Sequence, residues 1–296
     1  MQRKVHIDAF GAVSLVGFAA VLGFNQVVIK VVNGGVQPVF AAGLRSVGAL
    51  ILLALWMWYR GSWQGLARGT WWAGTVMGVL FTAEFVLLYQ ALDLTSVART
   101  SVIFYSMPVW LALGAHLLVP GERITARKGL GLGIAFAGVA WALLDRDSGG
   151  PVSLTGDLMA LGAAVCWAGI ALLARIGALS RLRPVMQLFW QVSVSAVLLM
   201  ALAPFFGPLL RDPAPIHYAG LAFQVLAVAT GGYLFWFWLL KIYPAASVAS
   251  FGFLSPVFGV IFGWLLLAER IGVPILGALA LVAAGIYLIN RPPRGV

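Results

Sequence analysis

The sequence predicts an all-α membrane protein of ten transmembrane helices, arranged as two inverted five-helix repeats. Three observations carry this expectation. Of the 296 residues, 62% are hydrophobic and only 9% are charged, against about 25% charged in a soluble domain. Ten apolar runs are long enough to cross a bilayer. The second half of the chain also repeats the pattern of the first. A folded surface in water is already more than half apolar, so a soluble globule of this length has no place for such a share. The solvent is lipid.

The runs cover roughly 9–31, 38–59, 71–92, 97–119, 127–144, 156–177, 184–206, 217–240, 245–267 and 272–290. Each is close to the roughly 20 apolar residues that a spanning helix needs. They are continuous, whereas barrel strands alternate, so they read as helices. The first run follows Arg3 and Lys4. It is too long for a signal core and has a counterpart in the second half, so it reads as a retained span. "NGGVQP" precedes the second run and "RGSWQG" follows it, both breakers. Trp58, Trp63, Trp71 and Trp72 cluster around the second joint and read as an interfacial aromatic belt. The fourth run contains Pro108, and the ninth contains Pro256. The fifth holds "GLGLGIAFAG". No strand precedes it, so its glycines read as helix-packing positions, not a nucleotide loop. "DRDSGGPVSLTG", the longest polar stretch, separates the fifth and sixth runs, and "RDPAP" precedes the eighth.

The halves align along their length. "GAVSLVGFAAVLGFNQVVIK" (11–30) matches "GDLMALGAAVCWAGIALLAR" (156–175). Pro38 and Pro184 each open a helix, and Gly74 pairs with Gly220. Pro108 pairs with Pro256, and Glu122 with Glu269. The expected organisation is a first repeat over 1–147, a linker over 148–155 and a second repeat over 156–296. Five crossings are an odd number, so the second copy stands upside down.

Charge placement gives the orientation. With the N-terminus in the cytoplasm, 13 of the 19 basic residues face inward. They are Arg3, Lys4, Arg60, Arg68, Arg123, Arg127, Lys128, Arg175, Arg181, Arg183, Lys241, Arg291 and Arg294. Arg99, Arg146, Arg211 and Arg270 fall in outer loops. This is the positive-inside pattern, with both termini cytoplasmic.

Several function classes are set aside. The net charge of +10 comes from scattered residues with no basic, aromatic-interleaved stripe, so nucleic acid is not an expected partner. Cys166 is the only cysteine, and His6, His116 and His217 lack metal-ligand spacing, so no disulfide, metal or cofactor is expected. An intramembrane enzyme needs converging acids, histidines or lysines, and the helices offer almost none. No phosphate-binding loop motif marks an ATP-driven pump.

Ten helices in two repeats, each carrying Pro-Val-aromatic, an apolar run, and then GER or AER, resemble the EamA-type members of the drug/metabolite transporter superfamily. Within that family the chain is most similar to bacterial aromatic amino-acid exporters. The resemblance implies a secondary transporter that exports small metabolites, amino acids of aromatic or broad range, across the bacterial inner membrane by alternating access. It implies a central cavity lined mainly by spans three, four, eight and nine, with the fifth and tenth peripheral. Other metabolites or drugs, such as nucleobases, sugars or cationic compounds, remain alternative cargoes. The expected partners are a small-molecule substrate, the lipid bilayer and protons as a candidate coupling ion.

Three sets of residues are candidates for the site. Arg45 and Glu84 lie at matching depth, about 10 Å from one end of spans two and three, and ionisable residues inside a membrane are functional candidates. They read as an ion pair, as substrate contacts, or, for Glu84, as a proton carrier. Lys30, near a helix end, reads as a snorkelling residue. A lining set recurs at helical spacing: Thr82, Phe85 and Tyr89 in span three, Ser101 and Tyr105 in span four, Tyr233 and Trp236 in span eight, and Phe251 in span nine. Phe237 and Ser247 extend it. Such residues serve packing as readily as a cavity. Pro108 and Pro256 sit mid-run at equivalent points, as fixed kinks or as a pair of hinges.

Overall fold

The computed structural model describes residues 7–61, 69–119, 122–145, 152–243 and 251–290. Arg3, Lys4, Trp63, Arg68, Arg146, Ser247, Arg291, Arg294 and residues 148–151 of the expected linker lie outside the described residues. Among the described residues no β-strand forms, and the chain is a helical bundle. Its helices are α1 (Ala9–Gly35), α2 (Pro38–Tyr59), α3 (Trp71–Leu94), α4 (Val97–Phe104), α5 (Met107–Leu118) and α6 (Ala126–Leu144). The second half supplies α7 (Leu154–Leu173), α8 (Pro184–Leu202), α9 (Pro215–Phe223), α10 (Tyr233–Ile242), α11 (Leu254–Leu267) and α12 (Val273–Asn290). α4 and α5 form one span. α9, a π-helical stretch Gln224–Gly232 and α10 form another. Eight spans are long and apolar enough to cross a bilayer, and two shorter apolar helices, Phe251–Leu267 and Val273–Ile289, complete ten.

Packing follows a twofold exchange of the halves. α2 packs against α8 and α6 against α12, each helix against its own counterpart. Other contacts come in related pairs. α1 lies on α11 as α7 lies on α4 and α5, and α3 lies on α8 as the π stretch lies on α2. α3 lies on α7 as α9 lies on α1. Inverted repeats with their axis in the membrane plane produce this exchange. Small residues make the α6–α12 seam close. A Cβ on Gly131 would stand 2.9 Å from the Gly285 carbonyl oxygen, and one on Gly285 would stand 2.6 Å from that of Gly131. Without water to drive helices together, such close backbone contact supplies the association. Gly131 and Gly138 of "GLGLGIAFAG" do the packing expected of them, whereas Gly133 meets nothing and Gly129 only Ile124.

The helix boundaries differ from the sequence reading at informative places. α1 runs on through Gly34 and Gly35 instead of stopping near residue 31. Gly35 is there for room: the His217 ring occupies the place of its missing side chain, with Nδ1 1.9 Å from an ideal Cβ. The chain then pairs in a short bridge, Val36 with Leu210. Gln37 N donates to Leu209 O at 3.0 Å, and Arg211 N donates to Gly35 O at 2.9 Å.

The fourth run is broken at Tyr105–Ser106, not continuous. Pro108 is the second residue of α5, where its absent N–H is not missed. Pro256 sits in the first turn of α11, behind a 3₁₀ turn at Phe251–Phe253. The prolines thus begin helical segments and do not merely bend a continuous helix. Ser106 closes the break: its hydroxyl donates to Ile103 O at 2.6 Å and accepts from Trp110 Nε1 at 3.2 Å.

Arg99 is the largest correction. Placed in an outer loop by the charge reading, it lies in the first turn of α4 and is 2% exposed. Its Nη2 contacts Asp157 Oδ2 at 2.5 Å, its Nε donates to both Asp157 oxygens at 3.2 Å, and its Nη1 reaches Asp145 Oδ2 at 3.4 Å. Nη2 also donates to Ala142 O at 2.5 Å, and the Thr95 hydroxyl donates to Asp157 Oδ1 at 3.1 Å. Asp157 opens α7 and Asp145 ends α6, so this cluster rivets the first half to the second. The charge is tolerated because nearly every donor has an acceptor.

Removing one partner of a buried pair costs about 3–5 kcal/mol, more than deleting both. We therefore expect Asp157→Asn or Arg99→Met alone to lower the melting temperature of the detergent-solubilised protein strongly, and the double replacement to restore part of the loss. Additive losses would show that the pair is not the rivet.

Candidate functional site

Beneath this sealed end a second polar group gathers between the halves, and its members are less well satisfied. α2 places Arg45, 3% exposed, with its guanidinium carbon 4.2 Å from the centre of the Phe85 ring. A desolvated cation over an aromatic face contributes about 2 kcal/mol or more. Phe81, Phe85 and Tyr89 fall four residues apart, so α3 presents them as one column. Their ring centroids are 4.6 and 5.9 Å apart in succession. The hydroxyls of Tyr89 and Tyr233 lie close enough to Arg45 to feel its charge. Glu84, beside the column, is 4% exposed and close enough to Arg45 to feel its charge.

The eighth span joins through its π stretch. Tyr89 donates its hydroxyl hydrogen to Gln224 Oε1, and Gln224 is the first residue of that stretch. A π turn widens the helix and commonly marks a functional position. From the fourth span comes Tyr105, at the helix break, whose hydroxyl donates to Leu22 O at 3.1 Å. Gln26 of α1 lies against it. A narrow crevice adjoins the cluster, lined by Arg45, Ser46, Ala49, Phe81, Val192, Ala229 and Tyr233. It is closed and too tight for a free water.

Several buried polar atoms here have no hydrogen-bond partner: Arg45 Nε, Glu84 Oε2, Gln26 Oε1, Gln224 Nε2 and Thr230 Oγ1. Burying such a group unpaired costs roughly 1–3 kcal/mol by mutational measures. The arrangement offers donors and acceptors in one low-dielectric place.

The expected site residues divide. Arg45, Glu84, Phe85, Tyr89 and Tyr233 come together at this cluster, with Tyr105 and its break beside it. Thr82 is buried nearby, but its hydroxyl donates to Gly78 O at 2.8 Å within its own helix. Ser101, fully buried, lies against Gly259 at the α4–α11 contact. Trp236 stacks on Phe18 with ring centroids 5.1 Å apart. With Phe251 it packs on a satellite cluster of Leu15, Leu239, Ile242 and Tyr243, away from Arg45. Lys30 does not snorkel. Its Nζ donates to Leu92 O at 2.9 Å and Thr95 O at 2.6 Å, capping the end of α3.

Sequence reasoning missed Gln26, Asn33 and Gln224. Asn33 Nδ2 donates to Tyr89 O at 2.8 Å and holds the column in place. An uncharged amide inside an apolar run was the available signal. It also missed Asp93, whose carboxylate grips Arg211 at 2.7 and 2.9 Å and raises the guanidinium pKa above its ordinary value.

Comparison with known proteins agrees with this architecture. The chain belongs to the EamA-like transporter family, whose model matches twice, over residues 9–144 and 154–291. It is a multi-pass membrane protein. A Bacillus subtilis relative named "Uncharacterized transporter YvbV" is 28% identical over 286 residues, covering 95% of this chain and 92% of its own. An Escherichia coli protein named "Probable amino-acid metabolite efflux pump" is 28% identical over 286 residues, covering 90% of each chain. One crystal structure superposes with a TM-score of 0.64 at 21% identity, over 94% of this chain and 97% of its own, which shows the shared fold.

A double-mutant cycle tests the coupling of the two intramembrane charges. Arg45→Gln and Glu84→Gln should each lower thermal stability or activity, and the double replacement should recover part of the loss. An interaction energy of about 0.5–3 kcal/mol marks residues in contact. Strict additivity would separate them.

Proposed function

We propose that this protein is a secondary transporter that exports small metabolites, amino acids among them, across the bacterial inner membrane by alternating access. One observation carries the reading: a polar, incompletely satisfied cluster lies where two inverted halves meet, beside a broken helix and a π-helical stretch. Interrupted helices at a repeat interface are where transporters of inverted-repeat design hold their cargo. The name of the Escherichia coli relative supports amino acids as cargo. Residues 1–147 and 156–296 are the two rocking units, and 148–155 joins them. Pro108 and Pro256 are hinges, one in each unit. Glu84 suits a coupling proton as the acidic member of the cluster.

Counterflow in proteoliposomes tests the reading. Purified protein should exchange labelled amino acid against an unlabelled pool, and no counterflow across a screen of amino acids, nucleobases and sugars would refute it. In the same assay Pro108→Ala and Pro256→Ala should slow exchange while leaving the melting temperature nearly normal. A lowered melting temperature with unchanged turnover of folded protein would make them shape elements only.

Orientation has its own test. Arg60, Arg123, Arg127, Lys128, Arg175, Arg181 and Arg183 share the face of the bundle that bears the start of α1 and the end of α12. The positive-inside pattern makes that terminal face cytoplasmic. After Cys166→Ala, an impermeant thiol reagent added to intact cells should label Asp212→Cys and spare Arg60→Cys. Both side chains are exposed. The reverse pattern would invert the topology.

A further inference from the structure

The cluster contains one feature that a general metabolite site does not require. Its two charges are opposite in sign, both are buried beyond nine-tenths, and each keeps an atom without a hydrogen-bond partner: Arg45 Nε and Glu84 Oε2. Two charges serving only each other in lipid would be expected to satisfy all their polar atoms, as Arg99 and Asp157 nearly do. Arg45 instead rests on a hydrocarbon face, the Phe85 ring, and its Nε–H is left for another acceptor. A further donor stands on the same side. Gln224 Nε2 is unpartnered, while Gln224 Oε1 is held by the Tyr89 hydroxyl.

We infer that the cluster is a two-ended site for a zwitterion, Arg45 receiving the carboxylate and Glu84 the ammonium group. This deepens the transporter reading and rests on it. The unpartnered atoms match the guest end by end. A carboxylate only accepts and an ammonium only donates, so each end answers the group that lacks its complement. A guest with one charge would leave the opposite protein charge stranded, the costly case for buried ions. The guanidinium fork suits a carboxylate in two-pronged geometry, which a lysine does not reproduce.

The crevice beside Arg45 is walled by Ala49, Phe81, Val192 and Ala229 together with Ser46 and Tyr233, and it is too tight for a free water, so a guest enters only as the helices part. Discrimination therefore falls on the charge at each end.

Three compounds that share one carbon skeleton make the test. They are leucine, isoamylamine, which lacks the carboxylate, and 4-methylpentanoate, which lacks the amine. Two readouts on the purified full chain are needed, thermal stabilisation by each compound in detergent and counterflow in proteoliposomes. Leucine should stabilise and exchange roughly tenfold or more better than either single-charge analogue, the worth of one hydrogen bond to a charged group. Arg45→Gln should bring the leucine-to-isoamylamine ratio toward one, and Arg45→Lys should restore it only partly. Glu84→Gln should bring the leucine-to-4-methylpentanoate ratio toward one. Equal handling of all three compounds by the unmodified protein overturns the inference, and that measurement does not depend on any variant folding. A variant that lowers all three compounds in proportion also overturns it, since that is a purely structural effect. Exchange without discrimination sinks the two-ended site and leaves the transporter. Selective stabilisation by leucine without exchange supports the site and sinks the transporter. Neither stabilisation nor exchange overturns both.

Discussion

A charge buried in lipid must be answered, and the answer given to Arg99 holds the two halves of this protein together. The side chain leaves the first turn of α4 and ends among Asp157, Asp145 and the Ala142 carbonyl. Three helices, α4, α6 and α7, are fixed by one guanidinium. Asp157 in turn accepts from Thr95, just before α4. The join between repeats therefore does not rest on the intervening linker alone. Close by, Glu269 accepts from the backbone N–H groups of Val97 and Ala98 at 2.7 and 3.0 Å. A helix N-terminus with unsatisfied N–H groups receives a carboxylate from the far end of the other repeat. Glu269 reaches that place because Ala268 adopts a left-handed conformation at φ 52°, a strained choice for a residue with a Cβ that the capping contacts offset.

Set against that nearly satisfied cluster, the central one stands out by contrast. Both are buried, both are charged, and both join several helices. In the outer cluster the donors and acceptors are matched within the protein. In the central one the aromatic column Phe81, Phe85 and Tyr89 supplies packing and cation–π contact, yet leaves polar atoms over. Rigidity at one level and deficit at the next is the division a transporter requires. The first fixes geometry, and the second leaves donors and acceptors unspent.

The sequence carried the fold because lipid writes it in long, simple signals. Ten apolar runs, Pro38 and Pro184 at helix starts, and the recurrence of Pro108 in Pro256 were enough to give the repeats. Arg45 and Glu84 were legible for the same reason, since a charge within such a run is conspicuous. What could not be read was partnership. Arg99 looked like a loop cation because its acceptors, Asp145 and Asp157, lie 46 and 58 residues away. The bond between Tyr89 and Gln224 spans 135 residues. The break at Tyr105–Ser106 was hidden because a proline within a run marks equally a bend and a restart. Trp236 and Phe251 were misleading for another reason. Their helical spacing was sound, but aromatic residues on a face say nothing of whether that face meets the cluster or a satellite core.

The inverted repeat also makes inequality between its copies measurable. Glu122 and Glu269 hold equivalent positions, yet their situations differ. Glu269 is 8% exposed and caps α4. Glu122 pairs with Arg175 at the surface, where both side chains are more than a third exposed. An exposed pair contributes about 0–1 kcal/mol, whereas stranding a buried charge costs several. The face that carries Glu269 has further ties in the Arg211–Asp93 grip and the Lys30 cap on α3. Among the described residues, the other face adds to its surface pair the bond from the Tyr243 hydroxyl to Asp8 Oδ1 at 2.6 Å. Symmetry of fold is therefore not symmetry of contact. Among the described residues the buried polar ties gather at the face opposite the termini, and the less satisfied central cluster lies just beneath them.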